Sequence, residues 1–290
     1  MKRLALLLPL LLALTSCNPP RSGKLVIACK NFTEQVILGE LLAQEIEAQG
    51  EPIERRFYLA GSYIAHQALV AGRVDAYVEY SGTALSAVLK QPLQKDPAAA
   101  LATIRRIYAQ KYHVTVAAPL GFEDTFAMIV RGDDPRFTNI TKLSQLPLLA
   151  PTLRLGTGYE FQSRPDGLPA VEQTYNLHFN DRPRVMDLGL LYRALAAHQV
   201  DIVSGNSTDG AIEAMRLRVL QDDRHAFPPY EAVPLVRTDS LQKHPALQRA
   251  LEKLAGQVSA IEMRAMNQAV DGEHRDPADV VRQFRAAKHL

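Results

Sequence analysis

The feature that most constrains the fold of this chain is a regular alternation of short strand-like runs with amphipathic helical segments. The run 24–29 (KLVIAC) is apolar after its first residue, as expected of a buried strand. In the segment that follows, apolar side chains recur at the three- and four-residue spacing of one helix face. The N-terminal third therefore predicts an α/β sheet with strands at 24–29, 53–58 and 74–79 and helices at 33–49 and 62–71.

A second run of the same kind follows, with strands predicted at 153–156 and 202–204 and helices at 167–175 and 188–198. The two runs align at a constant offset of 126 residues, since 68–75 (ALVAGRVD) corresponds to 194–201 (ALAAHQVD) and Glu34 corresponds to Glu160. Matches this short also arise by chance, so coincidence stays open beside an internal repeat. A repeat would give two similar lobes whose strand ends and helix N-termini face a shared cleft, where α/β proteins bind ligands. Such lobes usually close by a hinge.

The first seventeen residues predict the compartment. Two basic residues precede an apolar run, 4–14, that is shorter than the roughly 20 residues needed to span a bilayer. Segment 1–16 is therefore predicted to be a removable export signal. The tetrad Leu14-Thr15-Ser16-Cys17 resembles a lipobox, which implies lipidation of Cys17 and a tether over 17–23. The chain is expected outside the cytoplasm, held to a membrane by lipid alone, although an ordinary secreted protein with an accidental cysteine remains the alternative.

Charge and residue usage exclude several classes of partner. Without Lys2 and Arg3 the chain has 31 basic and 31 acidic residues in no single-sign block, which argues against nucleic acid. No second long apolar run follows, so this chain contains no permease. The eight histidines show no metal-ligand spacing, and neither a metal nor a cofactor is predicted.

An exported enzyme is the alternative from a different class. Cys29 lies beside Lys30 and is the candidate nucleophile, but it ends a buried strand with no histidine or acid adjacent in sequence. The motifs Gly-x-Ser-x-Gly and His-Glu-x-x-His do not occur. The sequence therefore favours a binding protein over an enzyme.

Seven segments carry a family resemblance, in order along the chain: 30–35 (KNFTEQ), 79–83 (EYSGT), 121–127 (GFEDTFA), 160–169 (EFQSRPDGLP), 186–190 (MDLGL), 207–210 (STDG) and 227–230 (FPPY). Together they resemble the substrate-binding proteins of osmoprotectant ABC transporters, which bind glycine betaine, choline and carnitine. The resemblance implies delivery of a small solute to an ABC permease with its ATPase.

The resemblance also implies a two-lobed type II periplasmic-binding fold, with the ligand in the cleft between the lobes. Lobe 1 is expected over 24–123 plus 229–290 and lobe 2 over 124–228. The chain would cross between the lobes near Asp124 and again just before Tyr230. The helical tail, with Leu247, Leu251 and Leu254 spaced at three and four, would pack back on lobe 1.

A quaternary ammonium has no N–H to donate, so aromatic faces and acceptor oxygens are what can hold it. Carried over by motif, the family's aromatic cage falls at Tyr80, Phe126, Asn206 and Tyr230. Two positions depart from the tyrosine common in relatives: Phe126 loses only a hydroxyl, whereas Asn206 replaces an aromatic wall by an amide. The alternatives are core or surface roles for the three aromatic residues and a turn at Gly205-Asn206.

For a ligand carboxylate, Arg164 is the candidate, because a guanidinium matches a carboxylate with two parallel donors. Glu160, one helical turn earlier, is expected to orient Arg164, although a solvated pair is the alternative. Lys30, at the junction of a strand and a helix, is expected to add positive charge.

Three further polar residues belong to the matching motifs. Thr33 is expected to be a helix N-cap, and Thr83 either donates its hydroxyl to the ligand or caps a helix. Asp124 either faces the cation or fixes a turn at the hinge. The polar Asn206 leaves the ligand open, because it also suits a betaine with an additional hydrogen-bonding group, such as ergothioneine.

Overall fold

A computed structural model of the chain describes residues 23–290. The predicted export signal and the lipidation site at Cys17 lie outside the described residues. Within the described part of the chain, no helix is both long enough and apolar enough to cross a bilayer.

The described residues form ten strands and eleven α-helices. The strands are β1 (Leu25–Lys30), β2 (Ile53–Leu59), β3 (Ala76–Tyr80), β4 (Val114–Val116), β5 (Phe126–Arg131), β6 (Leu155–Thr157), β7 (Arg184–Val185), β8 (Ile202–Asn206), β9 (Leu217–Leu220) and β10 (Ala232–Arg237). The helices are α1 (Thr33–Ala48), α2 (Gly61–Val70), α3 (Pro97–Ile107), α4 (Tyr159–Ser163), α5 (Leu168–Tyr175), α6 (Leu188–Ala196), α7 (Ala211–Ala214), α8 (Thr238–Lys243), α9 (Pro245–Leu254), α10 (Ala260–Asp271) and α11 (Pro277–Lys288).

The strands form two five-stranded sheets with the same spatial plan, in the orders β2-β1-β3-β10-β4 and β7-β6-β8-β5-β9. In each sheet three strands are parallel, and the fourth, β10 or β5, runs antiparallel to its neighbours. The chain leaves the first sheet after β4 and returns to it at β10. Both predicted crossings fall in these connections, although the division into lobes at residues 124 and 229 stays a prediction.

The internal repeat suggested by the 126-residue offset is confirmed. Strand β8 begins and ends 126 residues after β3, so Tyr80 and Asn206 occupy equivalent strand ends. The buried aspartates at the repeat also make equivalent contacts. The Val26 N–H donates to Asp75 Oδ2 over 2.8 Å, and the Arg154 N–H donates to Asp201 Oδ2 over 2.9 Å.

The first sheet is covered on both sides, which explains why β1 is buried at all six positions. Leu25 and Ile27 pack with Ile37 and Leu41 of α1, whereas Val26 packs on the opposite face with Leu69 of α2. The tail behaves as expected from its spacing: Leu247, Leu251 and Leu254 of α9 are buried, and α9 packs on α1.

The prediction that Thr33 caps α1 is wrong. Phe32 occupies the N-cap position without a side-chain hydrogen bond, and the Thr33 hydroxyl instead donates to Asp271 Oδ1 of α10 over 2.6 Å. The packing of α10 beside α1 brings this partner to Thr33, and it lies 238 residues further along the chain. Local sequence gives no signal of such a contact.

Candidate functional site

A cavity of about 340 Å³ lies between the two sheets, at the carboxyl ends of their parallel strands. All nine residues singled out from the sequence line it: Lys30, Tyr80, Thr83, Asp124, Phe126, Glu160, Arg164, Asn206 and Tyr230. Lys30 and Tyr80 end β1 and β3 of the first sheet, and Asn206 ends β8 of the second. The repeated fold therefore presents matching strand ends from both sides, as open α/β sheets do at their ligand sites.

Lys30 is buried and already paired with a carboxylate of its own lobe. Its Nζ lies 2.5 Å from Glu79 Oε1 and 3.3 Å from Ser62 Oγ, to which it donates. The same ammonium lies 4.6 Å from the centroid of the Tyr80 ring, within cation–π distance. One face of Tyr80 therefore holds a cation of the protein itself.

Arg164 is likewise engaged on most sides. Its Nε and Nη2 donate to the two oxygens of Asp166 over 2.9 and 2.6 Å, Nη2 also donates to Thr83 Oγ1, and Nη1 donates to Glu160 Oε2 over 3.1 Å. Burial opposes the charge, but the hydrogen bonds to Asp166 outweigh it and raise the pKa of Arg164.

The two-pronged hold on a ligand carboxylate expected of Arg164 is not available in this arrangement, because Asp166 accepts from both prongs. Of five guanidinium N–H groups, the contacts within residues 23–290 use four and leave one on Nη1. The expected ion pair with Glu160 is present. Thr83 does not cap a helix, since the capping position before its π-helical turn belongs to Gly82.

The aromatic wall is centred on Phe126, whose ring meets Phe161, Tyr230 and Phe227 edge-on at centroid distances of 5.0, 5.7 and 6.0 Å. The Arg164 guanidinium carbon lies 4.7 Å from the Phe126 centroid. Tyr230 is buried, and its hydroxyl donates to Asp166 Oδ2 over 2.7 Å. Phe126 and Tyr230 thus combine a packing role with a place in the cavity wall.

Asn206 is the one member of the predicted cage with a free polar group. The turn alternative is wrong, since both Gly205 and Asn206 belong to β8. The backbone N–H of Asn206 donates to Asp209 Oδ2 over 2.8 Å. Its side-chain amide has no hydrogen-bond partner in the described part of the chain, so it offers a carbonyl and an N–H to the cavity.

Asp124 lies at the first crossing and is only 5% exposed. Its Oδ1 accepts from the Thr208 N–H over 3.3 Å and from the Ser207 hydroxyl over 3.4 Å. Burial, and then the nearby Glu34, raise the pKa of Asp124 well above its usual value. Asp124 therefore borders the cavity and also ties the crossing to the loop after β8, and its contact with a cation stays a prediction.

Glu34 is a residue of this region that the sequence reasoning missed as a site residue. Its two oxygens accept from the Tyr80 hydroxyl over 2.6 Å, from Thr208 Oγ1 over 2.5 Å and from Asn267 Nδ2 over 2.9 Å. Burial is the main cause that raises the pKa of Glu34. Its membership in the segment 30–35 and its pairing with Glu160 at the repeat offset were the available signals.

Glu160 connects the two lobes across the mouth of the cavity. Its Oε1 accepts from the Ser62 N–H over 2.8 Å, at the start of α2, where helix N–H groups favour a carboxylate. Gly61 has a φ of +83° there, and a Cβ on it would lie 2.7 Å from Glu160 Oε1. Burial opposes ionisation, but Lys30 and then Arg164 lower the pKa of Glu160.

The candidate nucleophile is poorly suited to catalysis. Cys29 is 1% exposed, and burial raises the pKa of its thiol to about 12. Such a thiol stays protonated near neutral pH, whereas the thiolate is the reactive form. No group of three or more metal-ligating side chains is found among residues 23–290.

Comparison with known proteins gives consistent results. The sequence model of one family, described as the substrate binding domain of ABC-type glycine betaine transport systems, matches residues 23–287. The carnitine transport binding protein OpuCC of Listeria monocytogenes is 33% identical over 96% of this chain and 93% of its own length. A glycine-betaine-binding protein of Pseudomonas aeruginosa is 32% identical over 91% and 88%. The ergothioneine transport permease/ergothioneine binding protein EgtU of Helicobacter pylori is 32% identical over 97% of this chain and 51% of its own.

Solved structures agree on the fold. The crystal structure of a glycine betaine/carnitine/choline ABC transporter protein superposes with a TM-score of 0.76 at 32% identity, over 92% of this chain and 99% of that one. Lactococcal OpuAC, in a closed conformation with glycine betaine, superposes at 0.65 with 16% identity, over 92% and 96%. The predicted two-lobed type II periplasmic-binding fold is confirmed.

Proposed function

Because the chain belongs to the family of substrate-binding domains of ABC-type glycine betaine transport systems, we propose that it captures a betaine or related quaternary ammonium solute outside the cytoplasm and delivers it to an ABC permease. The observation that carries this proposal is the convergence of nine residues, from both halves of the chain, on one cavity between the sheets. Relatives of similar length, named for carnitine and glycine betaine, support the ligand class.

The charges around the cavity support a ligand with two opposite poles. Lys30 and Arg164 each keep one donor unused by the described residues, and we assign these two donors to the ligand carboxylate. Asp124, with the rings of Tyr80 and Tyr230, forms the wall for the cationic group. A zwitterion satisfies both poles, whereas a simple cation would leave the donors of Lys30 and Arg164 without an acceptor.

A second candidate ligand is a betaine that also carries a hydrogen-bonding ring, of which ergothioneine is an example. The free amide of Asn206 favours such a ligand, because the amide can form a hydrogen bond with a donor or acceptor of the ligand at a position where relatives place an aromatic face. The relative named for ergothioneine binding is similar over nearly all of this chain.

The protein is proposed to act without catalysis and to be tethered to a membrane through lipid on Cys17. The apolar run 4–14 and the tetrad ending at Cys17 support the anchor. A Cys17→Ser variant is expected to move from the detergent phase to the aqueous phase on partitioning. Equal partitioning of the variant and the wild type would contradict the anchor.

Calorimetric titration of the chain from residue 18 onward tests the ligand class, with glycine betaine, choline, carnitine, ergothioneine and a plain amino acid as probes. We expect saturable binding of at least one betaine, weakened about tenfold or more by Tyr230→Ala and by Arg164→Ala. Tyr63→Ala and Arg249→Ala are matched controls, because both residues are exposed and neither lines the cavity. Thermal melting confirms that each variant is folded, and silence across the panel would contradict the proposed ligand class.

A further inference from the structure

Three carboxylates meet where the cavity reaches the crossing between the sheets. Glu34 lies in the first turn of α1, Asp124 in the crossing after β4, and Asp209 in the loop after β8. Glu34 is 2% exposed and Asp124 is 5% exposed, whereas Asp209 is half-buried. We call these three side chains the hinge carboxylates.

Thr208 joins two of the hinge carboxylates, Asp124 and Glu34, by hydrogen bonds. The Thr208 N–H donates to Asp124 over 3.3 Å and its hydroxyl donates to Glu34 over 2.5 Å. Tyr80, whose ring lines the cavity, donates its hydroxyl to Glu34 over 2.6 Å. Asp209 accepts from the Asn206 N–H and from the Tyr192 hydroxyl. Of the three, Asp124 itself lines the cavity, whereas Glu34 and Asp209 are connected to it by hydrogen bonds to the lining residues Tyr80 and Asn206.

No side chain of residues 23–290 forms a salt bridge with any hinge carboxylate. Lys30 of β1 is the cation that acts on Glu34, but it is paired with Glu79. From α10 the cluster meets the neutral Asn267 and the acidic Asp271, which is held by Thr33. From α6 it meets Tyr192, and β3 adds Tyr80.

Buried carboxylates without a cationic partner retain protons. Burial raises the pKa of Glu34, and burial, followed by the nearby charges of Glu34 and Asp209, raises the pKa of Asp124. Burial is also the main cause that raises the pKa of Asp209 to about 7. Near neutral pH the unliganded cluster therefore holds protons that an added cation would displace.

We propose that the hinge carboxylates supply the counter-charge for the cationic group of the ligand, and that binding releases a proton from them to the solvent. The inference rests on the proposed function, since it needs a permanently cationic ligand in this cavity. In this exchange, a protonated carboxyl group of the cluster loses its proton to the buffer when the cation binds, and the resulting carboxylate faces the cation. A quaternary ammonium has no proton of its own to give or take.

The direction of the pH dependence follows from this exchange. The liganded protein binds fewer protons than the free protein, so affinity rises with pH until the free cluster is ionised. For each proton released, the dissociation constant should weaken by up to about tenfold per pH unit as the pH falls. With Asp209 titrating near 7, the window between pH 5 and about 8 is where the change is expected.

The experiment titrates the chain from residue 18 onward with glycine betaine and with choline at pH 7, in two buffers of different ionisation enthalpy. We expect the heat of binding to differ between the buffers by an amount that corresponds to a fractional proton release. Dissociation constants measured from pH 5 to pH 8 should show the same release as a slope. Choline and glycine betaine do not titrate in this range, so the protons must come from the protein.

Two variants locate the source of the proton. Asp209→Asn, which keeps the shape of the side chain, should reduce proton release at pH 7 and flatten the pH profile. Asp133→Asn, at an exposed carboxylate outside the cavity, should change neither. Thermal melting checks the fold of both, and the wild-type buffer comparison stands without them.

The possible outcomes test the proton exchange, its assignment to the hinge carboxylates and the proposed ligand class separately. Binding with equal heats in both buffers, together with a flat pH profile, overturns the proton exchange and leaves the proposed function intact. Proton release that persists unchanged in Asp209→Asn, in Glu34→Gln and in Asp124→Asn also overturns the assignment to the hinge carboxylates. Absence of binding at every pH by both probes, and by carnitine and ergothioneine as well, overturns the proposed ligand class, and this inference with it.

Discussion

At the scale of single residues, the cavity differs from a simple aromatic cage because its rings also contact positively charged side chains of the protein itself. Lys30 lies over Tyr80 and Arg164 lies against Phe126, each within cation–π distance. Asn206 stands at the strand end equivalent to that of Tyr80 and carries no ring. The two lobes thus offer the ligand an aromatic face on one side and an amide on the other.

This asymmetry predicts the effect of restoring a ring. Asn206→Tyr should tighten binding of glycine betaine and choline by about fivefold, because a cation–π contact at a partly exposed site contributes about 1 kcal/mol. Calorimetric titration of the variant and the wild type measures the change. Asn206→Ala is the matched control, since it removes the amide without adding a ring and should leave choline binding within about twofold.

The same pair of variants separates the two candidate ligand classes. If a betaine with a hydrogen-bonding ring is the ligand, both variants should weaken its binding, because both remove the amide of Asn206. An Asn206→Tyr variant with unchanged affinity for every quaternary ammonium would contradict a place for this residue in the cation wall.

At the scale of elements, the sequence predicted the parallel strands β1, β2, β3, β6 and β8 and the helices α1, α2, α5 and α6 to within a few residues, because buried runs and helical spacing are local signals. The two-residue parallel strand β7 and the short helix α4 were not predicted. The sequence also did not predict the antiparallel strands β4, β5, β9 and β10, although β5 (FAMIVR) and β10 (AVPLVR) are apolar runs. Strand β10 pairs with β3 more than 150 residues earlier in the chain. No local pattern specifies a partner at that distance.

The sequence predicted which residues lie in the candidate site from local signals, but it did not predict contacts between distant parts of the chain. Residues such as Tyr80 and Arg164 were predicted to lie in the site because they belong to segments that resemble those of the family. The contacts of these side chains were not predicted. Arg164, for example, bonds to Thr83 of the other lobe, which is distant in sequence. Tertiary packing therefore explains both differences from the sequence prediction. It occupies the guanidinium of Arg164, and it directs the Thr33 hydroxyl to Asp271 instead of to the end of α1.

Helix α2 provides the prediction that belongs to this scale. The Ser62 N–H and hydroxyl in its first turn donate to the carboxylate of Glu160 from the opposite lobe, so this contact should favour the closed arrangement before any ligand binds. Glu160→Ala should open the unliganded protein, and small-angle scattering should report a larger radius of gyration. Glu252→Ala, at an exposed glutamate on α9, is the control and should leave the radius unchanged.

The charge of Glu160 gives this contact a pH dependence. Since the pKa of Glu160 is lowered, the contact is fully present above the ordinary pKa of a glutamate and is lost as the pH falls through the lowered value. Glu160→Gln, which keeps an acceptor oxygen but no charge, should be intermediate between the wild type and Glu160→Ala. Equal radii for all three proteins would show that closure does not depend on this residue.

At the scale of the whole molecule, each sheet has one buried cluster of its own, a third buried cluster contains residues of both sheets, and the two sheets share one ligand cavity. A ligand that binds only the folded protein stabilises it by RT ln(1 + [L]/Kd), which is about 2.7 kcal/mol at a ligand concentration of one hundred times the dissociation constant. For a protein of this size, each kcal/mol raises the melting temperature by about 2 to 4 °C. A saturating betaine should therefore raise the melting temperature by roughly 5 to 10 °C.

Whether the ligand connects the two lobes can be read from the shape of the same melting curve. If the lobes unfold separately without ligand, saturation should merge two calorimetric transitions into one, because unfolding either lobe destroys the shared site. Tyr80→Ala on the first sheet and Phe126→Ala on the second should each abolish the whole shift, since each removes one wall of the same cavity. If ligand instead raised only one of two transitions and left the other in place, the ligand would be bound by a single lobe and the shared-cavity interpretation would be wrong.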